Sequence, residues 1–176
     1  MSLSENSNSS STTKSEFEDN LNVLRQTYFF SGLPLETLKI FAYLCTREKF
    51  KDGEYIFQQN EDDGQAFYVL QGKARLERRD NGETAELREC KSGDFIGSLA
   101  LLGDRPRLFS LKALTDTTCL VLNREKFTKT MEQFPALFPK LIKAVVQRID
   151  TWEERFLMHR PDQCGECMVN LGVSLL

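Results

Sequence analysis

Hydrophobic positions along the chain change period twice. Phe17, Leu21, Leu24 and Tyr28 recur at intervals of three and four, the period of an amphipathic helix. Ser15 and Glu18 ahead of them have capping-box spacing. The run from Phe29 to Pro34 ends that helix. Pro34 then predicts a second helix with proline at its first position, burying Leu35, Leu38, Phe41, Ala42 and Cys45. From Thr46 the period shortens to that of strands. The pattern predicts strands at Tyr55–Gln58, Ala66–Leu70, Lys73–Arg79, Thr84–Cys90, Ser110–Ala113 and Thr118–Leu122. Asp80-Asn81-Gly82 is a tight-hairpin signal, and Lys73, Arg75, Glu77 and Arg79 read as the wet face of that hairpin. Many short strands at such intervals predict a jelly-roll-like β-roll. Asn123 caps a helix carrying Phe127, Met131 and Phe134. Pro135 and Pro139 restart the chain into a last helix. There Ile142, Val145, Ile149, Trp152 and Phe156 form an a/d seam over about two heptads. The fold class expected is α+β, mainly β: a roll flanked by N-terminal helices and a long C-terminal helix.

Composition refines this picture in a few places. Residues 1–14 are mostly Ser, Asn and Thr, too polar to bury apolar area, and are expected to be a disordered tail. The remaining divisions are 15–133 for the roll with its flanking helices, 134–160 for the last helix and 161–176 for a tail. With 176 residues and a net charge of −3, the chain reads as one domain plus tails without a general pull toward nucleic acid. The basic hairpin residues lack the aromatic platform of a nucleic-acid surface. No apolar run reaches spanning length and no secretory leader opens the chain, so no membrane partner is expected. Five cysteines, an odd number without a framework, fit a reducing, cytoplasmic setting. The acidic run Glu61-Asp62-Asp63 lacks the length and terminal glutamate of a calcium loop and reads as a solvated loop.

The pattern argues against an enzyme. Histidine is the usual general base, and His159 is the sole histidine. A cupin-type metal site needs several histidines inside the roll. Cys164 and Cys167 form the one close cysteine pair. They supply two thiolates where structural zinc takes four ligands. His159 as a third ligand, two tails in a dimer, or a redox pair are alternatives to the expectation of an unliganded pair. No cofactor is expected.

The candidate chemistry lies in Gly93–Ala113, GDFIGSLALLGDRPRLFSLKA. Glycine at 97 allows close backbone approach. A short helix opening after it aims free N–H groups outward, and Arg107 offers a fixed fork of donors to an oxyanion. This stretch resembles the phosphate-binding cassette of cyclic-nucleotide-binding domains, the family that includes the catabolite activator protein and the regulatory subunit of the cAMP-dependent protein kinase. The family pattern runs F-G-E-L-A-L, then P-R-A-A-T. Phe95, Gly97, Ser98, Leu99, Ala100 and Leu101 match the first part, with Ile96 displacing the aromatic by one. Pro106, Arg107, Leu108, Phe109 and Ser110 match the second.

The resemblance covers about residues 25 to 158. It implies a ligand-binding set of Gly97, Ser98, Leu99, Ala100, Arg107, Leu108, Phe109 and Ser110. It also implies a last helix that covers the ligand and pairs two subunits, so Ile142, Val145, Ile149, Trp152 and Phe156 become a homodimer interface. Ser98 replaces the family glutamate that accepts from the ribose, and reads as a cap of its own turn. Leu108 and Phe109 add bulk where the family has small residues. The expected function is a non-enzymatic regulatory module. It senses a phosphate-bearing small ligand, cAMP or cGMP foremost, and transmits occupancy through its last helix. The alternatives are a degenerate roll acting as an interaction domain, and the sensor of a transcription regulator without its DNA-binding domain, since the tail after His159 is too short for a helix-turn-helix.

Overall fold

The computed structural model describes residues 7–158, with the side chains of 7–14, 152, 153 and 155–158 outside the description. Eight strands form two four-stranded antiparallel sheets. The first contains β1 (Thr46–Phe50), β3 (Gln65–Gln71), β6 (Phe95–Ile96) and β8 (Thr117–Asn123), in the order β1-β8-β3-β6. The second contains β2 (Tyr55–Phe57), β4 (Lys73–Asp80), β5 (Glu83–Lys91) and β7 (Ser110–Ala113), in the order β2-β7-β4-β5. The chain changes sheet at every step except β4 to β5, which makes the expected jelly-roll. The one hairpin turns at Asn81-Gly82, both left-handed, with φ of 52° and 89°.

Alternation along the first sheet builds two cores at once. Phe67 and Val69 on β3, with Cys119 and Val121 on β8, face the second sheet and pack with Phe57, Leu76, Ile96, Phe109 and Leu111. Ala66 on β3 and Leu122 on β8 face the other way, toward the helices. A sheet buried on both faces therefore reads as nearly continuous apolar runs.

The helices α1 (Ser7–Gln26), α2 (Leu35–Leu44), α3 (Arg124–Gln133) and α4 (Phe138–Met158) gather with the first sheet around an aromatic cluster. Phe41 stacks on Phe127 with centroids 5.5 Å apart, and Phe29 meets Phe30 edge-on at 5.0 Å. Such pairs each add about 0.5–1.5 kcal/mol beyond the area they bury. No helix among the described residues is long and apolar enough to cross a membrane.

Several boundaries differ from the sequence expectation. α1 starts at Ser7 rather than at a Ser15 cap, so residues 7–14 belong to a helix and not to a disordered tail. Once Phe17, Leu21 and Leu24 dock, each further residue costs only its own ordering, and no Gly or Pro stops the ladder. Tyr28 lies beyond α1, in a 3₁₀ turn Tyr28–Phe30. Pro34 is the N-cap of α2, in extended conformation, not its first residue. Phe134 falls just outside α3, whose cap is Asn123, its side chain accepting from the Glu125 amide at 2.7 Å. Glu77 is buried rather than wet. The Tyr55 hydroxyl donates to its carboxylate at 2.7 Å and Arg75 lies alongside, so the cover comes from another strand.

Candidate ligand-binding site

The cassette begins at the end of β6. Gly97 has φ of 86° and precedes a 3₁₀ turn, Ser98–Leu101. Glycine is needed here for two reasons. The backbone is left-handed, and a Cβ would stand 2.5 Å from Arg107 Nη1 and 3.0 Å from the Gln65 carbonyl oxygen. The arginine therefore packs directly on the glycine's open face.

Arg107 is fixed from backbone to tip. Its amide donates to the Glu61 carbonyl and its carbonyl accepts from the Asn60 amide, both at 2.8 Å. Its guanidinium is 6% exposed and lies over the Phe57 ring, 4.1 Å from the centroid. Nη2 donates to Asp63 Oδ1 at 2.6 Å and to the Gln65 carbonyl at 2.5 Å. Nε is buried without a partner. Burial draws the Arg107 pKa downward and the Asp63 carboxylate holds it up; a guanidinium stays protonated through such shifts. The site thus holds a buried cation with one nitrogen anchored and another N–H unsatisfied. A buried orphan donor calls for an acceptor.

The other expected site residues divide. Gly97 and Arg107 come together. Ser98 is buried, but it does not cap its turn: the cap is Gly97, with no side-chain bond. Its hydroxyl instead meets the Tyr28 hydroxyl at 3.3 Å, because the 3₁₀ turn starts at residue 98 itself and turns that side chain toward the helices. The Ala100 amide is used by the Gly97 carbonyl at 3.0 Å. Leu99 is half-buried and Leu108 is 45% exposed, pointing away. Phe109 is buried in the roll, 5.9 Å from Phe57. The Ser110 hydroxyl accepts from the Gln59 amide at 2.9 Å.

Asp62 and Asp63, read from sequence as part of a solvated loop, are instead the partners of two arginines. Asp63 holds Arg107. Asp62 and Asp104 both accept from Arg124, whose Nε also donates to the Ala100 carbonyl at 2.6 Å. Arg124 keeps the Asp62 carboxyl below the usual range. An acidic run in sequence carries no sign of which cations lie opposite; only the return of the chain through residues 104–107 and 124 supplies them.

Residues 47–134 match the cyclic nucleotide-binding domain. The chain belongs to the cyclic nucleotide-binding domain family. The cAMP-dependent protein kinase regulatory subunit of Emericella nidulans is 38% identical over 98 residues, covering 56% of this chain and 23% of that protein. A cGMP-dependent protein kinase of Caenorhabditis briggsae is 31% identical over 121 residues, covering 66% of this chain and 16% of that one. The crystal structure of the Thermus thermophilus catabolite activator protein superposes with a TM-score of 0.62 at 25% identity, covering 75% of this chain and 62% of that one. The chain spans less than a quarter of the length of these two kinase relatives.

The α4 residues expected to form a seam are divided by the fold. Val145 packs on the helical core beside buried Leu141 and Ala144, because that face closes the monomer's own aromatic cluster. Ile142 is 39% exposed and Ile149 half-buried. The Trp152 and Phe156 side chains lie outside the described residues, as do Cys164, Cys167 and His159. Among the described residues no group of His, Cys, Asp and Glu is arranged to hold a metal ion.

Proposed function

We propose that this domain is a non-enzymatic regulatory module that binds a phosphate-bearing small ligand at Arg107, with cAMP and cGMP the foremost candidates. The observation that carries the reading is the Arg107 guanidinium: buried, anchored through Nη2, set against Gly97, and left with an unpartnered Nε–H. An arginine serving only its ion pair with Asp63 has no need of the bare glycine beside it. Names of the relatives, one cAMP-dependent and one cGMP-dependent, favour the same ligand class. Ser98 supplies no carboxylate for a ribose hydroxyl, so affinity falls short of a site with glutamate there. A missing charge-assisted hydrogen bond costs about 1.5–3 kcal/mol, or roughly ten- to a hundredfold.

The test is calorimetric titration of cAMP and cGMP to millimolar concentration, a limit of about 4 kcal/mol of binding. Arg107→Lys keeps the charge but loses the fork, and is expected to weaken binding about tenfold or more. Ser98→Glu is expected to strengthen it by giving the ribose a carboxylate, provided the longer side chain leaves the Tyr28 side. A second reading rests on Phe109 in the roll and on Ser98 and Ser110 hydroxyls already engaged: a domain closed to nucleotide that works by protein association. If neither nucleotide binds and Ser98→Glu gains none, the second reading replaces the first. In both readings α4 is the output element and a second copy of the chain its partner.

A further inference from the structure

A polar cavity lies on the opposite side of the first sheet from Arg107. Its volume is about 350 Å³, and it is walled by Arg88, Arg148, Tyr28, Tyr68, Phe95 and Asp94, with Gln26, Thr27 and Gly93 at its margin. Tyr68 and Phe95 pack with the helical core, whereas Phe67 and Ile96, their strand neighbours, face into the roll. The cavity is therefore separated from the Arg107 guanidinium, which lies against Phe57 and Phe67, by the thickness of the sheet.

Two features of this cavity are unexplained by folding alone. Four buried arginine Nε–H groups lack a partner among the described residues, and two of them, on Arg88 and Arg148, belong to this one cavity. Arg148 makes no ion pair with a described carboxylate; its guanidinium lies over the Tyr28 ring, 5.1 Å from the centroid. Arg88 Nη2 donates to the weak acceptor Cys90 Sγ at 3.5 Å; its one carboxylate is distant, Asp94 Oδ1 at 3.7 Å, and the other oxygen of Asp94 accepts from the Lys91 amide at 2.8 Å. Two guanidinium groups against one lining carboxylate leave an excess positive charge in a half-enclosed space. Buried donors of this kind call for acceptors.

We infer that this cavity is a second anion site, taking a phosphate monoester between Arg88 and Arg148. The chemistry selects phosphate over carboxylate. A carboxylate has two oxygens, which a single guanidinium fork occupies, while a phosphate monoester has three terminal oxygens and reaches two forks on different elements. The aromatic walls suit a flat group esterified to the phosphate, and the volume lies in the range of small-molecule sites. Arg88 belongs to β5 and Arg148 to α4, so the ligand ties the last helix to the roll. Tyr28, the wall under Arg148, shares its hydroxyl with Ser98 of the cassette, which joins the two sites by one hydrogen bond.

The experiment uses the full chain, with phenyl phosphate, inorganic phosphate and benzoate as probes, followed by melting shift, calorimetry and amide exchange. Phenyl phosphate is expected to raise the melting temperature and to slow exchange in residues 141–149, while benzoate does neither. Arg88→Gln and Arg148→Gln, on separate elements, are each expected to weaken binding about tenfold or more. Lys143→Ala, which removes an exposed cation from the same helix, is expected to leave it unchanged. Equal binding of inorganic and phenyl phosphate supports a site that reads the oxyanion alone. The inference is overturned if no probe binds at ten millimolar, if benzoate matches phenyl phosphate, or if both arginine variants fold and bind as the original chain does. Because none of these variants touches Arg107, failure here leaves the cassette reading standing, and failure of nucleotide binding there leaves this site standing.

Discussion

Arg107 carries two loads that separate under substitution. As a structural cation it satisfies Asp63 and the Gln65 carbonyl; as a candidate ligand contact it offers Nε. Arg107→Ala leaves Asp63 unpaired, and breaking a buried pair costs about 3–5 kcal/mol. With Asp63 20% exposed, the lower end is expected in denaturant titration, and a loss under 1 kcal/mol would show that the pair is immaterial. Gly97→Ala places a Cβ against the arginine in a left-handed backbone. It is expected to destabilise by about 1–2 kcal/mol from the backbone alone, and to displace the guanidinium. Cysteine gives a pH signature at this scale. Burial raises the Cys119 thiol from 9.0 to about 12. A group with its pKa raised in the folded state stabilises fully below the unfolded value and loses that contribution as pH climbs toward the folded one. Between about pH 9 and 12 one such thiol costs about 1.4 kcal/mol per pH unit. Stability measured across that window is expected to fall less steeply in Cys119→Ala; identical slopes would mean the thiol is not protected.

Elements meet at Arg124, the first residue of α3. It joins the loop before β3 through Asp62, the cassette turn through the Ala100 carbonyl, and the return segment through Asp104. Three stretches distant in sequence are thereby held by one side chain. The Asp62 carboxyl is held low by that hydrogen bond, so its contribution is present above the ordinary carboxylate pKa and disappears as pH falls through the lowered value. Acidification below about pH 4 is expected to speed amide exchange in residues 98–106 before the sheets respond. Arg124→Ala should give that faster exchange already at neutral pH; unchanged protection there would remove Arg124 from this role. On α4, Leu141 is fully buried, and Leu141→Ala is expected to cost about 2–5 kcal/mol, releasing the helix from the roll.

At the scale of the molecule, α4 presents Phe138, Ile142 and Val146 to solvent, 44%, 39% and 47% exposed. Spaced four apart, they share a face one row away from the buried Leu141 and Ala144 and the half-buried Val145. An apolar stripe of this kind suits an association surface, and it is the surface that the homodimer proposed above would use. Val146→Asp is expected to shift sedimentation toward monomer without lowering the melting temperature of the monomer. A sedimentation profile already monomeric at tens of micromolar, a generous concentration for weak association, would exclude the homodimer.

Local pattern was sufficient for much of this. Period fixed six of the eight strands, since Ser110–Ala113 coincides with β7 and five others fall within a residue, while β1 and the two-residue β6 were not delimited. Asn81-Gly82 announced its hairpin because few residue pairs adopt two left-handed conformations. Gly97 and Arg107 were singled out through the resemblance of their stretch to the family's cassette, and the fold sets one against the other. The sequence could not disclose Asp63 as the arginine's partner, Glu77 as buried, Ser98 as turned to Tyr28, or Arg88 and Arg148 as neighbours. Each depends on chain segments far apart in sequence meeting at one place. Which face of α4 is covered was equally out of reach, because an apolar stripe has the same period whether it meets its own roll or another chain. Periodicity is a property of neighbours along the chain; the pairing of charges and the filling of space belong to neighbours brought together by the fold.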